Sequence, residues 1–336
     1  MLVYIVRRLL TAVLLLIIVS AITFAIFFLV PRLAGQSVDD LAARYAGRDI
    51  TPAVIEGIKH KLGFDKPLIV QYGDFVKGLL VGSHYDTGTD RTFCPAPCFG
   101  YSFRTNVPVW HLLVTRAPVT GSIAVGAAVL WLVGGVTTGV VSALRKGSIA
   151  DRVSMGIALA GVSLPIFFTG LLSLRIFAYG WHIFPTSQYI AITTNPAQWA
   201  YNLVLPWVTL AFLYAALYAR LTRAGMLETL SEDYIRTARA KGLPERAVIV
   251  RHALRGTLTP IITIFGLDIG VLLGGAVLTE STYSLPGLGQ LAIQGINQSD
   301  LPVVLGVTMA TAFFVVLANL VVDILYAVAD PRVRLT

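Results

Sequence analysis

Few residues in this chain have the types and the spacing that catalysis, metal binding or nucleotide binding requires. The five histidines are scattered, without the spacing of metal ligands: His60, His84, His111, His182 and His252. The motifs GxxxxGK[ST], HExxH and GxSxG are missing from the sequence. We therefore predict no catalytic residue, no metal site, no nucleotide-binding loop and no cofactor within this chain.

The charged residues concentrate in one stretch, DYIRTARAKGLPERAVIVRHALRG at residues 233–256. Acidic residues come first and basic residues follow, an order that suits a helix dipole: Glu228, Glu232 and Asp233, then Arg236, Arg239 and Lys241. Gly242 can end this helix, and Pro244 can begin another at its first position. The stretch therefore predicts two short helices joined by a Gly-Leu-Pro elbow.

Small residues on the first of these helices indicate a partner. Ala238 and Gly242 are four residues apart, so they predict a small, flat face that another protein can approach closely. The alternative is a basic loop resting on anionic lipid head groups, which charge alone does not exclude. The small face favours a protein, because lipid binding needs none.

The elements around this stretch are strongly apolar. The chain has 336 residues, of which 56% are hydrophobic and 13% charged, and soluble domains average about 25% charged. The mean hydropathy is +0.75. These values predict an all-α integral membrane protein. A net charge of +8 would suggest a nucleic-acid partner in a soluble protein. In a membrane protein the positions of the basic residues in the loops are more informative than their sum, and we predict no nucleic-acid partner.

Six segments are long and apolar enough to span a membrane, which takes about 20 residues. They are Leu9–Val30, Val119–Leu144, Val153–Phe177, Leu203–Ala219, Thr259–Leu278 and Leu301–Val328. The first resembles a signal peptide, but Pro31-Arg32-Leu33 is no small-residue cleavage site, so an uncleaved anchor is predicted.

Lys and Arg predict the orientation. They occupy the N-terminus, two alternate loops and the tail: Arg7 and Arg8; Arg145, Lys146 and Arg152; Arg220, Arg223, Arg236, Arg239, Lys241, Arg246, Arg251 and Arg255; Arg332 and Arg334. The loops 178–202 and 281–300 have neither residue. Both termini are therefore predicted to be cytoplasmic. The predicted organisation is a tail and first span at 1–30, an extracytoplasmic segment at 31–118, a core at 119–328 containing the cytoplasmic loop 220–258, and a cytoplasmic tail at 329–336.

The outer segment is predicted to fold. Thr51–Leu62 and Pro67–Leu80 have the capping residues of helices, and Ser83–Phe99 has the composition of a loop. Cys94 and Cys98 lie in that loop, where an oxidising compartment favours a local disulfide. A metal or redox site is the alternative, but it would need more thiolate or imidazole ligands than this loop offers.

Charged residues inside the predicted spans are candidate functional groups. Gly266, Gly270 and Gly274 form a GxxxGxxxG ridge suited to helix packing, and Asp268 points about 200° away from Gly266. Asp268 is therefore predicted either to line a pathway or to be a paired structural carboxylate. Near the inner end of the last span, Asn319, Asp323 and Tyr326 predict a polar inter-helix stripe; Arg175 is predicted to snorkel outward.

The charged stretch resembles a known signature. Arg236-Thr237-Ala238-x-x-x-Gly242 occupies the place of the EAA signature of bacterial ABC importer permeases, roughly E-A-A-x3-G-x9-I-x-L-P. Ala238 and Gly242 match, and Leu254 falls at the leucine. Arg236, Thr237, His252 and Arg255 depart from it, and in these the stretch is similar to the dipeptide/oligopeptide branch, with its DYxRTARAKGL…RHALR form.

Other stretches carry the same resemblance along nearly the whole chain. They are YIVRRLL, LGFDKPLIVQY, GYSFRTNVPV, GGAVLTE, SLPGLG and DPRVRL. The long outer segment resembles that of the B-type subunit. Ser83–Phe99, with both cysteines, looks inserted relative to this family.

The resemblance implies a type I importer permease fold in the bacterial cytoplasmic membrane. It implies four partners: a second, paralogous permease, two cytoplasmic ATPase subunits that bind ATP and Mg, and an extracytoplasmic solute-binding protein. The coupling residues it implies are Arg236, Thr237, Ala238, Arg239, Lys241, Gly242 and Leu254. The implied cargo is a di- or oligopeptide, with a nickel chelate, glutathione or another small solute as alternatives. The competing interpretation is a secondary transporter or channel that uses Asp268 and Asp323 for ions. Such a protein would work without ATP and would not need a docking loop.

Overall fold

A computed structural model describes residues 2–33, 35, 37–43, 51–52, 55–57, 59, 65–86, 91–102, 104–186 and 188–329. The described chain is mostly helical, as predicted, at 78%. The helices are α1 (Leu2–Phe24), α2 (Val30–Leu33), α3 (Val38–Ala43), α4 (Leu68–Val81), α5 (Val109–Leu144), α6 (Ile149–Ser163), α7 (Ile166–Ser173), α8 (Pro196–Leu230), α9 (Asp233–Ala240), α10 (Glu245–Ala247), α11 (Leu254–Leu273), α12 (Val277–Thr282), α13 (Leu288–Asn297) and α14 (Leu301–Ala329). Three π-helical segments continue neighbouring helices at Ala25–Leu29, Leu174–Gly180 and Val248–Ala253.

Five described helices are long and apolar enough to cross a membrane. They are Val6–Leu29, Val109–Leu144, Pro196–Leu230, Glu245–Leu273 and Leu301–Ile324. A bent pair, Ile149–Ser163 with Ile166–Gly180, makes six if it counts as one span. The number then agrees with the prediction.

The third predicted span, Val153–Phe177, is not one straight helix. The two halves meet at 104°, with the break at Leu164 and Pro165. Leu164 has the extended φ −89° and ψ 128°. A proline disfavours helical dihedrals in the residue before it, so the chain turns there although its hydropathy is continuous.

Three other predicted spans have different bounds in the structure, and the fourth span, Leu203–Ala219, lies within the longer α8, Pro196–Leu230. The second span was expected to begin after Pro118, but that proline lies inside α5, which begins at Val109. The fifth was expected to reach Leu278, but α11 ends at Leu273. The backbone of Gly275 there approaches Gly289 so closely that an added Cβ would lie 2.7 Å from the Gly289 nitrogen.

The described chain forms two compact units, and the first comprises residues 1–120, 273–277 and 286–317. Its core is a cluster of apolar side chains from α5, α13 and α14: Val109, Leu113, Leu288, Leu291, Val303 and Val307. The helix predicted at 67–80 is confirmed as α4, with Pro67 and Gly82 as its caps. Half of the residues of the helix predicted at 51–62 lie outside the described residues.

The segment predicted as a loop at 83–99 contains a hairpin. Strand β1 (Ser83–Asp86) pairs antiparallel with β2 (Arg91–Cys94), with Ser83 opposite Cys94. The strands were not predicted because the segment is rich in Gly, Thr and Asp, a composition typical of turns and loops. A second, two-residue pair joins β3 (Tyr101–Ser102) to β4 (Val107–Pro108). Cys94 and Cys98 form a disulfide, as predicted, and both are buried.

The second unit comprises residues 121–272, 278–285 and 318–336. Helix α8 packs closely on α5: the indole of Trp207 fills the space beside Gly126, where an added Cβ would lie 2.1 Å from a ring carbon. At Tyr283, the hydroxyl contacts Ser173 Oγ at 2.5 Å and Thr209 Oγ1 at 2.6 Å. This polar contact links the bent pair to α8.

Candidate functional site

The charged stretch forms a short helix with one buried edge. On α9, Ile235 is fully buried and Ala238 is 6% exposed. Both belong to a cluster with apolar residues from α5, α8 and the helix that follows: Ala143, Met226, Val248 and Ala253. Since the other residues of α9 are exposed, this edge fastens α9 to its own chain.

A Schellman motif ends α9. The Gly242 N–H donates to the Arg239 carbonyl at 2.9 Å, and the Leu243 N–H donates to the Ala238 carbonyl at 3.4 Å. Gly242 has φ +76°, in the left-handed region that side chains disfavour. The predicted elbow is therefore present, and its backbone geometry requires the glycine.

The predicted small face of Ala238 and Gly242 is not formed. Ala238 points into the apolar cluster, whereas Gly242 is exposed, with no atom within 4 Å of an added Cβ. The helix bends into its turn between the two positions, so a spacing of four does not place them on one face. A partner can reach Gly242 but cannot reach the Ala238 side chain.

The exposed side of this segment, which we name the α9 outer surface, combines charge with small and apolar residues. It consists of Arg236, Thr237, Ala240, Lys241, Gly242 and Leu243. Beside it, Arg239 Nη2 donates to Glu245 Oε1 at 2.7 Å, and Nε donates to Oε2 at 3.2 Å. Hydrogen bonding to Glu245 raises the pKa of Arg239 further. Both side chains are about half exposed, so this pair orients charge more than it stabilises the fold.

The second half of the stretch is not a separate short helix. From Glu245 to Leu273 the chain is one helical run, 29 residues long, with a π-helical segment at Val248–Ala253. Pro244 caps this run, one position earlier than predicted. Leu254 lies half-buried against the Ala238 cluster. The turn at Gly242 therefore joins α9 directly to a membrane-length helix.

Sequence reasoning missed a contact that holds the neighbouring turn. Asp151 accepts hydrogen bonds from Arg223 Nε at 2.7 Å and Nη2 at 2.9 Å, from the Gly147 N–H at 2.9 Å and from Ser142 Oγ. Asp151 is 4% exposed. The pattern Ser148-x-x-Asp151 is a capping signal that indicates a helix start, but nothing local indicates Arg223.

Asp268 is paired. The Tyr218 hydroxyl donates to its Oδ2 at 2.7 Å. On another face of α11, an added Cβ on Gly266 would lie 1.9 Å from Val322 Cγ2, so the first glycine of the predicted ridge packs closely on α14. Asp268 therefore lies away from that contact, as its angular offset predicted.

Other predicted groups are placed as follows. Arg175 is exposed in the π-helical end of the bent pair. The stripe of Asn319, Asp323 and Tyr326 stays a prediction, because the Tyr326 side chain lies outside the described residues. In the part of the chain that the structure describes, no three His, Cys, Asp or Glu side chains form a group that could hold a metal ion.

Two families match this chain along its length. The family described as "Binding-protein-dependent transport system inner membrane component" matches residues 135–335. The one described as "Binding-prot-dependent transport system membrane comp, N-term" matches residues 1–124. Together the two matches leave residues 125–134 and 336 uncovered.

Similar proteins align over almost their entire length. The chain is 38% identical to the Di/tripeptide transport system permease protein DppB of Pseudomonas aeruginosa, with 94% of each chain aligned. It is 35% identical to the Dipeptide transport system permease protein DppB of Escherichia coli K12, with 99% of each aligned.

Proposed function

The chain belongs to the family of binding-protein-dependent transport system inner membrane components, and on this basis we propose that it imports di- and oligopeptides as one permease subunit of an ATP-driven transporter. It is a multi-pass protein of the bacterial cytoplasmic membrane and a transport subunit that is not itself catalytic. The peptide cargo is supported by the names of relatives that align with nearly the whole chain.

The proposed assembly has a type I importer fold and contains four further subunits. They are a paralogous permease, two cytoplasmic ATPases that bind ATP and Mg, and an extracytoplasmic solute-binding protein. The Lys and Arg pattern supports an orientation with both termini and the 220–258 loop in the cytoplasm and residues 31–118 outside. In this orientation the α9 outer surface faces the ATPases.

Coupling requires a surface to which a partner can bind and a rigid connection from that surface to the spans. The α9 outer surface is exposed, and its residues Arg236, Lys241 and Leu243 offer a partner charged and apolar contacts. Ile235 and Ala238 anchor α9 to the apolar cluster. The single observation that carries the proposal is that this anchored helix lies between two membrane-length helices, Pro196–Leu230 and Glu245–Leu273.

The proposed cycle is a two-state rocking of the pathway. ATP binding draws the two ATPases together, and each carries the docked segment of its permease. Because α9 is packed on its own chain, its displacement moves α8 and α11 together as one body. The pathway then changes between inward-open and outward-open states.

The decisive experiment is uptake by the reconstituted assembly. Proteoliposomes that contain this chain, the paralogous permease, the ATPases and the binding protein are expected to accumulate labelled dipeptide only with ATP. Uptake without ATP would contradict the proposal and favour a channel or secondary transporter. ATP-dependent uptake of a nickel chelate or glutathione, with none of peptides, would overturn the cargo.

Gly242→Arg tests the docking surface. The variant puts a long side chain on the α9 outer surface, and we expect it to insert normally but to lose the ATPases on co-purification. Gly147→Arg is the matched control, because Gly147 also has positive φ, at +80°, and open space around it. Equal loss of the ATPases in both variants, or in neither, would show that α9 is not the docking element.

Single cysteines test the orientation in a Cys94→Ser/Cys98→Ser background. A membrane-impermeant maleimide is expected to label Thr193→Cys in intact cells, because position 193 is exposed in a predicted outer loop. Lys241→Cys should react only after permeabilisation. Labelling of Lys241→Cys but not of Thr193→Cys in intact cells would show that the orientation is opposite to the predicted one.

A further inference from the structure

Asp268 lies next to a group of aromatic rings in the second unit. Trp131 stacks on Tyr214 with ring centroids 4.6 Å apart, and its ring lies 6.2 Å from that of Tyr218 and 6.0 Å from that of Phe265. We name these four residues the aromatic box. The Tyr218 hydroxyl joins the box to the Asp268 carboxylate through the 2.7 Å hydrogen bond. Three helices, α5, α8 and α11, therefore contribute rings to this box, and Tyr218 on α8 contacts the carboxylate.

The charge of Asp268 is not balanced by a basic side chain. Among the described residues its partner is Tyr218, which is neutral, and no Lys, Arg or His forms an ion pair with it. An ionised carboxylate has about four acceptor positions, and one hydroxyl occupies one of them. Acids in membrane-length helices are costly and often functional, so a carboxylate with free acceptor positions and no basic partner is suited to hold a cation from outside the chain.

Asp268 lies at the border between a packed and an open face of α11. Ile261 and Leu272 are buried on one side of it, whereas Ile264, Leu267 and Val271 are exposed on the other. The face that carries Gly266 is already occupied by Val322. Because Asp268 is half-buried at this border, a solute that moves along the open face can reach its free oxygen positions.

We propose that Asp268 binds the terminal ammonium group of a peptide in transit, with the aromatic box as the packed wall behind its carboxylate, an inference that rests on the proposed peptide import. An ammonium group offers three donors and a compact positive charge, and both suit the free acceptor positions of a carboxylate. A bare divalent cation fits less well, because it requires several oxygen ligands and no cluster of three acids, His or Cys occurs in the described residues. One half-solvated carboxylate also suits a site that must release its cargo.

The test uses two variants with opposite expectations. Asp268→Asn removes the charge but keeps an oxygen that accepts from Tyr218. Tyr218→Phe removes that hydrogen bond but keeps the charge and the ring. In the reconstituted transporter we expect Asp268→Asn to lower dipeptide uptake about tenfold, the factor that corresponds to one lost charge contact, and Tyr218→Phe to stay within about twofold.

A purely structural role reverses this order, because only Tyr218→Phe breaks the hydrogen bond. Tyr218→Phe at or below the rate of Asp268→Asn would therefore overturn the inference, as would wild-type uptake by Asp268→Asn. Asp74→Asn, which removes the charge of an acid whose pair with Lys66 is about half exposed, is the control and should keep the wild-type rate. ATP hydrolysis stimulated by the loaded binding protein should continue in Asp268→Asn, so that uptake per ATP falls.

The N-acetylated form of the same dipeptide identifies the group that is bound. Its amine carries no charge, so its uptake should be equal in the wild type and in Asp268→Asn, with the binding protein saturated in both. An equally large loss for the acetylated peptide would show that the carboxylate serves another step, and would overturn the ammonium assignment. Absence of any ATP-dependent peptide uptake in the wild type would instead defeat the proposed function itself.

Discussion

Arg223 holds Asp151 through two hydrogen bonds, from Nε to Oδ1 at 2.7 Å and from Nη2 to Oδ2 at 2.9 Å. The two residues are 72 positions apart, and the bonds tie the start of α6 to α8. Because Asp151 also accepts from the Gly147 N–H, the same carboxylate shapes the turn before α6. The turn at Gly147 and the part of α8 that carries Arg223 are therefore held together by one carboxylate.

The first prediction concerns this pair. Asp151→Ala should lower the midpoint of thermal unfolding by several degrees, because it leaves a largely covered guanidinium without its partner. Differential scanning fluorimetry of the transporter in nanodiscs measures the shift. Asp74→Ala is the control: its pair with Lys66 is about half exposed, and its loss should change the midpoint by no more than about 2 °C. Equal shifts for the two variants would show that the Asp151–Arg223 pair stabilises the protein no more than an exposed ion pair does.

The second prediction concerns the turn at the end of α9. Gly242→Ala should cost about 1–2 kcal/mol, because the new Cβ meets no atom but the left-handed backbone at φ +76° disfavours it. Gly242→Asn should cost less, since Asn tolerates this conformation. Gly156→Ala, at a helical site with equally open space, should be neutral or stabilising. Urea titration in detergent measures each change, and a Gly242→Ala variant as stable as Gly156→Ala would contradict the turn geometry.

The third prediction concerns the contact between α11 and α14. Gly266→Ala should destabilise the protein by about 1–3 kcal/mol, because its Cβ would lie 1.9 Å from Val322 Cγ2. Adding Val322→Ala removes the methyl groups that clash. The double variant should therefore be more stable than Gly266→Ala alone, when the same titration is applied. Strict additivity of the two changes would show that the residues do not touch.

The fourth prediction concerns the disulfide. Cys94 and Cys98 are bonded and buried, so a maleimide should label neither in the native, unreduced protein and both after reduction in denaturant. Cys94→Ser/Cys98→Ser should lose about 2 kcal/mol of stability in the outer segment, the entropy expected for so short a loop. Labelling with a mass readout measures the first effect, and limited proteolysis measures the second. Thiols that react in the native state would contradict the pairing.

Local patterns predicted the elements whose signals are themselves local. Pro67 and Gly82 marked the ends of α4, and Gly242 marked the end of α9, because caps and left-handed turns depend on one or two residues. The break at Pro165 was missed because hydropathy is summed over about 20 residues, and that sum does not register a single backbone restriction.

The sequence by itself determined the membrane class and the place of the charged stretch, because apolar length and charge are properties of the chain. It favoured the disulfide that the structure contains. Only the tertiary structure decided that Ala238 turns inward, that Arg223 reaches Asp151 and that aromatic rings gather beside Asp268. Those outcomes depend on which helix faces pack together. Packing joins residues tens of positions apart, for which the sequence carries no local signal.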